Sequence, residues 1–148
     1  MSYQERRALV NVLSTVLITA GYTAYMMQRY PQTDPYSIEV FRFWGGYFLI
    51  LIPVTIIARI IITIIFSILN TIATREGEPE ITDERDRLIE LKSLRASLYV
   101  VSIGLVAAIG SLAFDAPPAV MFALLVTAGI AGEIVSEVLQ FFFYRRGF

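Results

Sequence analysis

The chain has 148 residues, 56% hydrophobic, 13% aromatic and 17% charged, with a formal net charge of −1 and neither Cys nor His; its mean hydropathy is +0.64. Soluble domains carry about 25% charged residues, so this composition excludes an ordinary soluble domain and points to a membrane protein. Without Cys or His there are no disulfides, no thiolate or imidazole metal sites, no His-ligated haem, no Cys nucleophile and no His acid–base catalyst.

A membrane-crossing helix needs ~20 predominantly apolar residues. Four such runs are predicted, over residues 8–27, 43–73, 94–114 and 118–144. The first follows Arg6-Arg7 as a signal sequence would, but it is too long for one and no A-x-A-like site follows, so a retained span is expected. The second holds Gly45-Gly46 and Pro53, where a kink is expected because proline removes a backbone hydrogen bond. It covers about 31 residues, roughly 46 Å at helical rise, and must tilt, kink or protrude. The fourth opens on Pro117-Pro118, tolerated in a first helical turn. The fold class is thus all-α, an integral membrane four-helix bundle forming one domain.

The basic residues orient the bundle, since cytoplasmic loops carry the excess of Lys and Arg. Arg6, Arg7, Arg75, Arg85, Arg87, Lys92, Arg95, Arg145 and Arg146 fall on one side, and only Arg29 and Arg42 on the other. Both termini and the central loop are therefore expected in the cytoplasm. Aromatic residues mark the span ends, with Phe41, Phe43, Trp44 and Tyr47 at one interface and Phe141 to Tyr144 at the other.

Polar residues inside the spans carry the most information, because ionisable groups in a bilayer are costly and face the bundle interior with a partner. In the second span Thr55, Arg59, Thr63, Ser67 and Asn70 recur every three or four residues and share one face. In the fourth, Gly129, Glu133, Ser136, Glu137 and Gln140 do the same. Measured from the terminal basic residues, Glu133 lies about 18 Å deep and Arg59 about 24 Å. Tilt of the long second span brings them closer, so an Arg59–Glu133 pair is expected, with Glu137 bonding to Asn70, Ser67 or Asn11. Such a pair either fixes helix register or serves ion translocation, anionic headgroup binding or quinone binding; spacing does not separate these readings. Small residues at Gly104/Ala108, Ala107/Ser111 and Ala128/Gly132 let helix backbones approach, within the chain or between copies.

The loop over residues 74–93 is dense in charge but nearly balanced. Gly77 and Pro79 end the second span, and Thr82 or Asp83 can cap a juxtamembrane helix with Glu84 and Asp86 in its first turn. That helix is expected to run straight into the third span. Asp83, Glu84, Arg85, Asp86, Arg87 and Glu90 then form either a solvated surface or a docking surface for a partner. A divalent-ion site at Glu80, Asp83, Glu84 and Asp86 is a weaker reading, because no spaced Asp loop with a turn glycine is present.

The run Ile81-Thr82-Asp83-Glu84-Arg85-Asp86-Arg87-Leu88-Ile89-Glu90, flowing into a span, and the ending Gln140 to Tyr144-Arg145-Arg146-Gly147 resemble a family of small prokaryotic four-span membrane proteins of unknown function. The resemblance covers roughly the second half of the chain. It implies the four-helix architecture and a prokaryotic cytoplasmic membrane, and no catalytic residues.

Three function classes compete. An enzyme needs a nucleophile or acid–base pair in a pocket; only Glu133, Glu137, Asp115 and hydroxyls are available, none in a motif, and no enzyme, cofactor or metal is expected. A transporter or channel subunit would oligomerise and use the Arg59/Glu133/Glu137 seam. An accessory, assembly or regulatory subunit would use its charged loop and bundle surface, and is the expected class. Its partners are the lipid bilayer and either further copies or another protein. The exposed polar parts are not net basic, so nucleic acid is not expected.

Overall fold

A computed structural model describes residues 3–74 and 84–146. They form four helices, α1 (Tyr3–Met27), α2 (Ile38–Thr74), α3 (Glu84–Ala113) and α4 (Pro118–Arg146). All four are long and apolar enough to cross a membrane. Each is longer than its apolar run, because charged residues at the ends continue the helix without a breaker. α2 has 37 residues and remains helical through Pro53, which makes it about 55 Å long against a hydrocarbon core of about 30 Å. α3 runs without a break from Glu84 into its apolar stretch. Asp83, Thr82, Gly77 and Pro79, and with them the expected cap and loop, lie outside the described residues.

The turns are built by local chemistry. Between α1 and α2, the Asp34 carboxylate accepts from the Tyr36 N–H at 2.8 Å, and Asp34 C=O accepts from Ser37 N–H at 2.9 Å. α3 ends in a Schellman motif: Ala116 N–H donates to Ser111 C=O at 3.1 Å and Asp115 N–H to Leu112 C=O at 3.3 Å. Asp115 takes the left-handed position at φ 56°, which Asp tolerates better than most side chains. Pro118 then opens α4 as its first residue.

α4 is the hub. It packs along α3 on one side and along α1 on the other, and meets α2 over a short stretch, while α2 otherwise lies on α1. Among the described residues α2 and α3 do not touch. The four helices therefore leave one side open between α2 and α3. The α3–α4 seam is close because its residues are small: Gly104 faces Ala128, Gly132 faces Ser97 and Val101, and Ala108 is fully buried. Ala107, of the expected small pair with Ser111, faces outward.

One core joins α1, α2 and α4 at the end that carries the two short turns. Val40, Trp44, Tyr47 and Val126 are buried there, with Tyr22, Met26, Tyr30, Phe43, Phe48 and Phe122 against them. Trp44 stacks on Phe122 at 5.4 Å and 16°; Tyr22 lies 5.0 Å from Tyr47 and donates its hydroxyl to Tyr47 C=O at 2.8 Å. These aromatics, expected at an interface, form the buried apolar cluster shared by α1, α2 and α4.

Candidate functional site

The opposite end, which carries both termini, is polar inside. α2 contributes Arg59, midway along its length, and α4 contributes Glu133 and Glu137, one turn apart on the face turned to α1 and α2. The Arg59 guanidinium lies 3.7 Å from Glu133 Oε1 and 3.7 Å from Glu137 Oε1. α1 completes the group: Asn11 Nδ2 donates to Glu137 Oε1 at 3.1 Å, and Arg59 reaches the buried Thr15 hydroxyl at 3.5 Å. The expected approach of Arg59 to Glu133 is present, and of the three partners considered for Glu137 the structure selects Asn11. Arg59 also sits as close to Glu137 as to Glu133, which places one cation between two carboxylates.

The two carboxylates differ in surroundings. Side-chain exposure is 46% for Glu133 and 8% for Glu137. Both Asn11 and Arg59 approach Oε1 of Glu137, while its Oε2 is buried without a hydrogen-bond partner among the described residues. A buried acceptor left without a donor costs on the order of 1–3 kcal/mol, so this oxygen is the least satisfied point of the seam.

The remaining seam residues play different parts. Thr55 donates to its own helix at Leu51 and Ile52 C=O, at 3.0 and 2.9 Å, and Thr63 donates to Arg59 C=O at 2.8 Å. Their hydroxyls satisfy themselves locally, and the polar stripe of α2 reaches α4 through Arg59. Asn70 is buried and Ser67 is half-buried, receiving the Thr71 hydroxyl on its C=O at 2.9 Å. Gln140 bonds Ser136 on its own helix at 3.4 Å.

Two cavities flank Arg59. A smaller one of about 170 Å³ lies toward the turns, lined by Ser14, Thr15, Ile18, Thr19, Thr55, Ile56, Arg59 and Glu133. A larger one of about 450 Å³ lies toward the termini, lined by Gln4, Arg7, Ala8, Asn11, Arg59, Thr63, Asp86, Glu90, Leu94, Ser136, Glu137, Gln140 and Tyr144. All four helices contribute to the larger cavity, which occupies the space left where α2 and α3 stay apart.

Of the residues read as a docking surface, Glu84, Arg85, Arg87 and Glu90 are exposed and Asp86 is half-buried; Asp86 and Glu90 also border the larger cavity, and Asp86 bonds the Tyr144 hydroxyl. Helical periodicity explains the split, since positions 86 and 90 are one turn apart and share a face that 84, 85 and 87 do not. The described residues hold no cluster of three or more Asp or Glu placed to bind a metal; the divalent-ion reading also involved Glu80 and Asp83, outside the described residues.

Sequence reasoning names Asn11 on α1 and misses Thr15 and Thr19, which line the smaller cavity. They follow Asn11 at four-residue intervals, the same signal that marks α2, but Thr is individually unremarkable in a span. Arg7 and Tyr144, read as interfacial residues, prove to be part of the cavity wall.

No protein-family model, no curated protein and no solved structure matches the chain. The likeness to small four-span proteins consequently adds nothing to the assignment of the site, which rests on geometry alone.

Proposed function

We propose that the chain is a non-enzymatic, multi-pass membrane protein that works as an accessory, assembly or regulatory subunit in a prokaryotic cytoplasmic membrane. The observation that carries this reading is the half-exposure of Arg59 and Glu133, at 47% and 46%, on the inner part of long apolar helices. Flanking positions Ile56, Ile57, Ile60 and Ile61 are exposed and suited to lipid or to another helix. Charges left uncovered at bilayer depth are expensive, and a second membrane helix closing the gap between α2 and α3 removes that cost. The excess of Arg and Lys at the termini end supports a cytoplasmic location for both termini, the central loop and the exposed Glu84, Arg85 and Arg87, which then serve as the contact for a partner.

Native mass spectrometry of the protein taken with its lipid from its own membrane tests this reading. A stoichiometric complex with a different protein is expected, and Arg85→Glu combined with Arg87→Glu should release that partner without changing melting. A lone monomer overturns it.

A second reading is favoured by the polar cavities on either side of Arg59. In it the chain is a subunit of an oligomeric small transporter or channel, and the Arg59/Glu133/Glu137 seam lines or gates the path. A homo-oligomer in the same spectra, together with flux in liposomes that Glu133→Gln abolishes, is the expected result; wild-type protein with no flux removes this reading.

A further inference from the structure

We infer that the larger cavity at the termini end is a binding site for a small organic cation bearing N–H donors, of the class of protonated primary amines. The inference deepens the seam reading and rests on the same cavity, but binding is a property of the purified chain and needs neither flux nor a protein partner.

Size comes first. At about 450 Å³ the cavity falls within the range of about 300–1,000 Å³ typical of small-molecule sites, and is far larger than the ~30 Å³ that one water occupies. The second observation is the orphan acceptor. Glu137 is 6% exposed, lines the cavity and holds Oε2 without a donor among the described residues. Asn11 and Arg59 both engage the other oxygen, Oε1, so Oε2 is the oxygen left for a donor supplied by a ligand.

Charge gives the sign of the ligand. Among the described residues of the wall, Glu137, Asp86 and Glu90 outnumber Arg7 and Arg59, and Arg59 is shared with Glu133. The site therefore has a negative excess that one positive charge balances. An anion would meet both that excess and the unsatisfied carboxylate oxygen. A quaternary ammonium carries no N–H to satisfy Oε2, and among the described residues Tyr144 is the one aromatic residue of the wall, which falls short of the cage that such ions require. A primary ammonium supplies both charge and donors. Among the described residues the α2 and α3 backbones do not approach each other, which leaves room between them for a ligand to enter.

The test is isothermal titration calorimetry of the full-length chain in phosphatidylcholine nanodiscs, with n-butylammonium chloride, tetramethylammonium chloride and sodium phosphate as probes. Saturable n-butylammonium binding is expected, uncontested by tetramethylammonium and weakened roughly ten- to hundredfold by Glu137→Gln, the loss appropriate to a hydrogen bond with a charged partner. Glu90→Gln, at an exposed position, should weaken it less and keeps the test open if Glu137→Gln does not fold. Absence of saturable n-butylammonium binding, wild-type affinity in every variant that folds, equal competition by tetramethylammonium, or saturable phosphate binding in its place each overturns the inference. Liposome flux of n-butylammonium separates it from the reading beneath: binding without flux leaves the site standing and removes transport.

Discussion

The two ends of the space between α1, α2 and α4 are held by different forces. At the turn end, aromatic residues close it, and Val40 and Tyr47 are fully buried. At the termini end α2 stays on α1, with Tyr3 and Phe66 rings 5.4 Å apart, and the long Arg59 side chain spans the distance from α2 to α4. Apolar packing needs contact along the whole surface, whereas a guanidinium reaches across several ångströms, so the first end is shut and the second keeps room for a ligand or a helix. α2 is thus anchored at one end and bridged at the other.

The strongest way to break this contrast is Trp44→Ala. It removes the ring stacked on Phe122 and should cost about 3–5 kcal/mol, as large-to-small changes in packed cores do, read as a lowered melting temperature in detergent. Arg59→Leu should cost less, roughly 2–3 kcal/mol, because a half-exposed pair loses less than a buried one. Pairing it with Glu137→Leu should restore more stability than pairing it with Glu133→Leu, since Glu137 is the carboxylate that cannot turn to solvent; equal recovery would mean that the two carboxylates are interchangeable. Gly104→Ala probes the α3–α4 seam outside both ends. Its new methyl would overlap Ala128, for a cost of about 1–3 kcal/mol, and thermal unfolding without loss there would show that the seam can relax. The smallest effect is expected from Tyr47→Phe, which removes the 2.7 Å hydrogen bond to the Thr23 hydroxyl and about 1 kcal/mol.

Much of the fold was legible in the sequence because bilayer-length apolar runs leave few alternatives to helices. The four spans read from the charges correspond to α1 through α4, and the extension of α3 back to Glu84 followed from helix-forming residues with acids in the first turn. The approach of Arg59 to Glu133 was legible too, since depth along a helix is fixed at about 1.5 Å per residue. The split of the charged run, with Asp86 and Glu90 bordering the cavity and Arg85 and Arg87 away from it, was not. Period alone shows that these positions take different faces, without showing which face has a cavity beside it.

The number of helices, their apolar character, the polar stripes of α2 and α4 and the depth at which acid and base meet are all written in the residue order. These follow from local rules: residue spacing, helical rise and the cost of charge in lipid. The separation of α2 from α3, the place of Arg59 between two carboxylates and the Glu137 oxygen left without a donor among the described residues come from tertiary packing. The small residues of α3 and α4 draw those helices together, while the aromatic core holds α2 against α1 and α4 at the far end. The cavity is what remains between these two close packings, and no single helix encodes it.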